Sequence, residues 1–308
     1  MLRMRLISAA VIIGGLAALL TLDGTLAAAT PGLWLAPLAL VAGLLLASEL
    51  GDLWRDRPER PASWVILAGV ALTWLATVAP LLWQWCVQPA FTCGPLEHLG
   101  WSLLGFTAAL TLVFGAEMAR FVEPGLSTGR IALGTLAIGY AGLLLSFLMN
   151  LRFLHGHRWG MAAVISLIVI VKLADTGAYF VGRSFGRHKM SPILSPKKTL
   201  EGAAGGFGAG ILGAILCQAW FVPWLTGDAA SPGSILQWAL YGIILAAAGM
   251  FGDLAESLLK RDAQRKDSSS WLPGLGGVLD ILDSLLFTAP PAYFCWVIGL
   301  VGPGSIVT

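Results

Sequence analysis

The sequence predicts an all-α fold, a polytopic integral membrane protein with about nine transmembrane helices, and three observations predict it. Of 308 residues, 57% are hydrophobic and 12% are charged, with a mean hydropathy of +0.79, outside the range of soluble globular domains. Apolar runs recur near 5–22, 32–50, 64–84, 99–119, 131–150, 159–182, 202–223, 235–256 and 283–302. Each is close to the ~20 residues a helix needs to cross ~30 Å of hydrocarbon. Unpaired backbone amides in lipid cost several kcal/mol each, and the chain lacks the ten-residue alternation of a membrane barrel, so the spans are helices.

The first run opens with Arg3 and Arg5 and is followed by "LAAAT", so it reads either as a retained span or as a cleaved secretory signal. Both leave residue 32 outside. With the N-terminus inside, the cytoplasmic loops carry Arg55, Arg57 and Arg60, then Arg120 and Arg130, then Arg183 to Lys198, then Lys260 to Lys266. The outer loops near 25, 90 and 230 carry no Lys or Arg, and only the Arg152 and Arg158 loop dissents, so the positive-inside rule sets this orientation. The formal charge of +2 comes without a basic stripe, and no nucleic-acid partner is expected. Cys86 and Cys93 share an outer loop, where a disulfide and two free thiols are both open; Cys217 and Cys295 lie inside spans as small hydrophobes. With no linker, low-complexity tail or repeat, residues 1–308 read as one integral membrane domain. Residues 1–155 are plain spans, and 156–308 hold the polar features and a cytoplasm-facing site.

In the sixth span Lys172, Asp175, Thr176, Tyr179 and Arg183 recur every three or four residues and line one helical face. Ionisable groups at membrane depth point to function unless they merely pair, as Lys172 and Asp175 could. The next connection reads "SPKKTLEGAAGGFGAGILG". Ser195 before Pro196 predicts a helix start there, with Lys197 and Lys198 in a first turn whose dipole they oppose unless an anion binds. The following glycines lack the terminal lysine and hydroxyl of a P-loop and read as helix-packing residues. Asp253, Glu256, Ser257 and Lys260 share a face of the eighth span. Pro273, Gly274, Gly276 and Gly277 then supply turn geometry and close backbone approach, and Asp280 and Asp283 open the last span on one side.

The charge-derived topology brings Asp175, Lys197, Lys198, Asp253, Lys260 and Asp280 to the cytoplasmic ends of their helices. Carboxylates gathered at one depth repel unless a cation binds them. Oxygen ligands suit Mg2+, with lysines left to hold phosphate. No His/Cys metal pattern or Ser/His/Asp arrangement competes.

The stretch "SLLKRDAQRKDSSSWLPGLGGVLDILD", Ser257 to Asp283, resembles the signature of the phosphatidate cytidylyltransferases, and "ADTGAYFVGRSFGRHKMSPILSPKKTLEGAAGG" resembles their upstream block. The resemblance covers roughly residues 170 to 290. It implies transfer of the cytidylyl group of CTP to phosphatidic acid, giving CDP-diacylglycerol and pyrophosphate at a cytoplasmic membrane, with Mg2+ required, K+ often nearby, and a homodimer common. It also implies that Asp253 and Asp280 ligate metal with Asp283 in support. Asp253, Lys260 and Asp280 are the expected catalytic residues; Ser257, Arg261, Lys266 and Asp267 from the signature's polar set and Ser195, Lys197, Lys198, Thr199 and Glu201 from the upstream one, with Asp175 of the sixth span, are expected to bind substrate. Two departures stand out: Leu275 where the family usually has histidine, and Ile281 where it usually has arginine. They leave open a paralogue with another acceptor lipid or weakened activity. Rival readings are a CTP-using lipid enzyme of another type, an ion-coupled transporter, and a silent lipid-binding homologue. The reading requires Asp253 and Asp280 to share an ion; Asp280→Asn should abolish turnover without unfolding, and Leu275→His should be tolerated.

Overall fold

The computed structural model describes residues 2–26, 30–88, 93–154, 156–227, 233–269 and 276–303. Among them the chain forms helices α1 (Leu2–Leu26), α2 (Leu35–Leu53), α3 (Ser63–Cys86), α4 (Pro95–Arg120), α5 (Ser127–Arg152), α6 (Gly156–Phe185), α7 (Leu200–Thr226), α8 (Ile235–Asp262) and α9 (Val278–Val297). Eight of these, α2 to α9, are long and apolar enough to cross a bilayer, and α1 contains a shorter apolar stretch, Ala10–Thr25. The protein is a membrane protein. The last span begins at Val278, five residues before the apolar run in the sequence, because Asp280 lies inside its first turn.

Two local readings change. Ser195 does not start a helix: Ser195–Thr199 is strand β2, paired antiparallel with strand β1 (Lys189–Ser191). The helix starts at Leu200, and the Thr199 hydroxyl accepts from the Gly202 amide at 3.1 Å. Strand pairing thus outcompetes the local Ser-Pro start, and a threonine four residues along supplies the cap. Lys197 and Lys198 consequently sit on a strand, outside any first helical turn. The dissenting basic loop also has a structural explanation. Arg152 is fully buried, and Arg158 donates to the Thr226 carbonyl at 3.1 Å, neutralising the C-terminus of α7.

Packing divides the chain into two units, Met1–Asn150 with Ala263–Ile281, and Leu151–Asp262 with Leu282–Thr308. In the first, α3 packs on α2, α4 and α5. The buried Ser102 hydroxyl meets the Thr77 hydroxyl and the Asn150 amide, each at 3.0 Å. The buried Asp23 carboxylate accepts from the Gly32 and Trp34 amides at 3.1 and 3.2 Å, fixing the approach to α2. α5 contains a π-helical turn at Gly139–Leu144. Cys86 and Cys93 are free thiols.

In the second unit α7 packs on both α6 and α8. A Cβ at Gly205 would lie 2.5 Å from Val181, and one at Gly210 would lie 3.1 Å from the Gly242 carbonyl. The glycine run is therefore a packing seam, as its spacing predicts. A π-helical turn at Cys217–Phe221 interrupts α7. Trp296 donates to the Tyr241 hydroxyl at 3.2 Å and meets Trp238 edge to face, a buried aromatic cluster that pins α9 to α8.

Candidate active site

In the second unit, carboxylate oxygens of Asp253, Glu256 and Asp283 lie within 4.8 Å of one another. Asp253 and Glu256 are three apart on α8, so one face presents both; Asp283 comes from α9. A Cβ at Gly252 would crowd the Asp283 carbonyl and sit 3.1 Å from Phe287, so glycine at this position allows the two helices to come together. Glu256 is buried, and the other two are half-buried.

Ammonium groups surround this cluster. Lys198 Nζ lies 2.7 Å from Asp253 Oδ2, and Lys260 Nζ lies 2.8 Å from Glu256 Oε2. The second pair is deeply placed, with side chains 12% and 3% exposed, against 21% and 37% for the first. On α6, Lys172 Nζ is 3.5 Å from Asp175 Oδ2. The buried Ser284 hydroxyl lies 3.3 Å from Asp175 Oδ2 and 3.1 Å from Asp283 Oδ1. The expected local Lys172–Asp175 pair thus exists, and it is joined through Ser284 to the carboxylate cluster. The centre holds four carboxylates (Asp175, Asp253, Glu256, Asp283) and three lysines (Lys172, Lys198, Lys260). Such an excess of oxygen ligands suits a hard divalent cation.

The remaining sequence-derived residues are distributed around these elements. Glu201 clamps the approach to the hairpin, its carboxylate accepting from the Arg187 and His188 amides at 3.0 and 3.2 Å and meeting His188 Nδ1 at 2.6 Å. Arg261 Nε donates to the Leu194 carbonyl at 3.3 Å, tying α8 to the β1–β2 turn. Ser195 and Ser257 are half-buried, and Lys197 is exposed on β2. Arg183 donates to the Tyr179 hydroxyl at 2.9 Å on the exposed end of α6.

Lys266, Asp267 and Asp280 belong to the first unit. Lys266 and Asp267 line an open cavity of about 510 Å³ with Asp52, Arg265, Ser268 and Ser269. Asp280 Oδ2 accepts from the Gly277 amide at 2.7 Å, the Ser268 hydroxyl at 2.7 Å and the Ser268 amide at 3.2 Å. Gly276 has φ +90°, and a Cβ there would collide with the Asp280 carboxylate, which accounts for the close approach expected of this glycine pair. Pro273, Gly274 and Leu275 lie outside the described residues. Helical spacing puts Glu256 on the face of Asp253, but Glu256 was not among the expected metal ligands, and neither Ser284 nor Glu49 was among the expected site residues. For Glu49 a signal existed: a carboxylate inside an apolar span needs a partner.

This is a helical membrane protein with an acidic centre paired to lysines. The sequence profile described as the cytidylyltransferase family matches residues 3–298, and the chain belongs to that family. It is 38% identical to a phosphatidate cytidylyltransferase of Bacillus subtilis over 70% of this chain and 75% of that protein. It is 33% identical to one of Synechocystis over 64% and 71%, and 35% identical to one of Haemophilus influenzae over 45% and 47%.

Proposed function

We propose that the chain transfers the cytidylyl group of CTP to phosphatidic acid, releasing pyrophosphate and leaving CDP-diacylglycerol in the membrane. Family membership supports the reaction class, and one structural observation carries its location: Asp253, Glu256 and Asp283 converge with Lys198 and Lys260 already paired to them. A phosphate oxygen of the lipid attacks the α-phosphorus of CTP. The bond to the β-phosphate breaks and its electrons leave with pyrophosphate. The nucleophile is already an anion, so no strong general base is needed; the difficulty is bringing two polyanions together.

The residues meet that difficulty by charge. Asp253, Glu256 and Asp283 would hold Mg2+, which when bound supplies positive charge to the nucleotide phosphates. Lys198 and Lys260 would then exchange their carboxylate partners for phosphate oxygens, and Lys172 would remain with Asp175 as part of the same charge balance. Asp280 carries a proposed metal-ligating role from the resemblance alone, as do Lys266, Asp267, Arg261 and Ser257 their substrate roles. K+ is proposed as an accompanying ion. We place the site at the cytoplasmic face of the inner membrane, where CTP arrives from water and the acyl chains stay in lipid, and propose a homodimer.

Purified protein supplied with CTP labelled in the α-phosphate, phosphatidic acid and Mg2+ should place label on the lipid, and a chelator should stop it. Label that stays in a soluble nucleotide while the lipid gains only a γ-phosphate would make the chain a lipid kinase instead. No transfer of either kind would overturn the proposal.

A further inference from the structure

Glu49 sits near the C-terminal end of α2 and is 7% exposed. Its carboxylate is oriented by three donors from a segment more than 200 positions away in sequence. Oε1 accepts from the Val278 amide at 2.9 Å; Oε2 accepts from the Leu279 amide at 2.9 Å and from the Ser268 hydroxyl at 3.0 Å. Val278 and Leu279 are the first two residues of α9, whose amides have no partner within their own helix. An anion at this end is favoured both by those donors and by the helix dipole. Glu49 is thus an N-cap supplied from another helix. Gly277 is what lets it approach, since a Cβ there would collide with both the Glu49 carboxylate and the Ser268 hydroxyl.

The same hydroxyl reaches Asp280 Oδ2 at 2.7 Å. A serine hydroxyl has one proton and can donate to one acceptor at a time, so Glu49 and Asp280 compete for it; what Glu49 gives Asp280 is the fixed backbone of the helix start, since Glu49 holds the Val278 and Leu279 amides and Asp280 accepts from the adjoining Gly277 amide. We infer that Glu49 is a positioning residue for the reaction, acting through the first turn of α9 to set the Asp280 carboxylate. This rests on the proposed cytidylyl transfer. Glu49 is not part of the acidic centre built by Asp253, Glu256 and Asp283, and it acts on the start of the helix rather than on a phosphate.

The test compares Glu49→Gln, Glu49→Asp, Ser268→Ala and the double variant Glu49→Gln/Ser268→Ala in purified full-length protein. Three properties are read: kcat and KM for CTP, melting temperature in detergent, and amide hydrogen exchange. Gln keeps the length of Glu but replaces one acceptor oxygen with an amino group facing donors. Loss of a supporting hydrogen bond behind a metal-binding group commonly costs about 10–100-fold. Glu49→Gln should therefore lower kcat by about that factor with KM nearly unchanged, and it should speed exchange at Val278 and Leu279 while α3 and α6 keep their protection. Glu49→Asp should recover part of the lost kcat. Ser268→Ala should add less to Glu49→Gln than it removes alone, because the two share one network.

Wild-type kcat in Glu49→Gln would overturn the inference, as would a loss that follows the melting temperature and spreads exchange through both units. If the wild-type protein transfers no label, the proposed reaction has failed, and exchange at Val278 and Leu279 alone decides whether Glu49 holds this turn.

Discussion

Two groups of carboxylates in this molecule are satisfied in opposite ways. In the second unit, Asp253 and Glu256 face the ammonium groups of Lys198 and Lys260 at 2.7 and 2.8 Å. In the first, Glu49 and Asp280 accept from the amides of Gly277, Val278 and Leu279 and from the Ser268 hydroxyl. Lysine is a flexible point charge that can change partners when a phosphate or a cation arrives. A backbone amide in a helix start cannot leave. The lysine-paired centre is therefore suited to exchange of charge, and the amide-bound one to keeping its carboxylates in fixed positions.

The largest effects should come from breaking the exchangeable centre. Asp253→Asn and Asp283→Asn each remove a charge from the carboxylate triad. We expect turnover to fall on the order of 10² to 10³-fold, with an unchanged elution profile and little change in melting temperature; labelled CTP assays read this directly. If either variant turns over normally, that residue is not part of the chemistry. Asp280→Asn tests the amide-bound group in the same assay. A loss as large as that of Asp253→Asn, in a folded protein, would support direct metal ligation by Asp280; a smaller one, near that of Glu49→Gln, would mark it as a support.

Stability should separate the two lysines. Lys260→Met strips an ammonium from Glu256, whose side chain is 3% exposed, and breaking a buried pair commonly costs about 3–5 kcal/mol. Lys198→Met breaks a pair whose carboxylate side chain is 37% exposed, so solvent can reach the charge left behind and the loss should be smaller. Thermal unfolding in one detergent should therefore rank Lys260→Met well below Lys198→Met, although both should lose activity; equal melting temperatures would mean that burial does not govern the two pairs. The smallest effect is expected at the cap of α7. Thr199→Ala removes the acceptor for the Gly202 amide at about 1 kcal/mol, and Thr199→Ser should restore it.

Much of this was readable from the chain alone where the physics is local. Helix periodicity put Asp253 and Glu256 on one face, and the glycines of α7 read as a packing seam. The start of α7 was misplaced because a Ser-Pro cap preference is weaker than pairing with a strand the sequence did not reveal. That shift moved Lys198 out of a supposed first turn and onto a strand from which it reaches Asp253. Ile281 is half-buried at the position where the resembled signature usually has arginine, and Leu275 falls outside the described residues.

By itself the sequence determined that the chain lives in a bilayer, which stretches are long and apolar enough to cross it apart from the first, whose apolar stretch is shorter, and that its ionisable residues had to find partners there, because apolar length and the expense of bare charge in lipid are properties of each segment. Tertiary structure alone decided the partnerships. Asp283 joins Asp253 and Glu256, and Glu49 reaches the start of α9, because such meetings depend on how closely glycine-lined helices approach, which no spacing along one helix encodes.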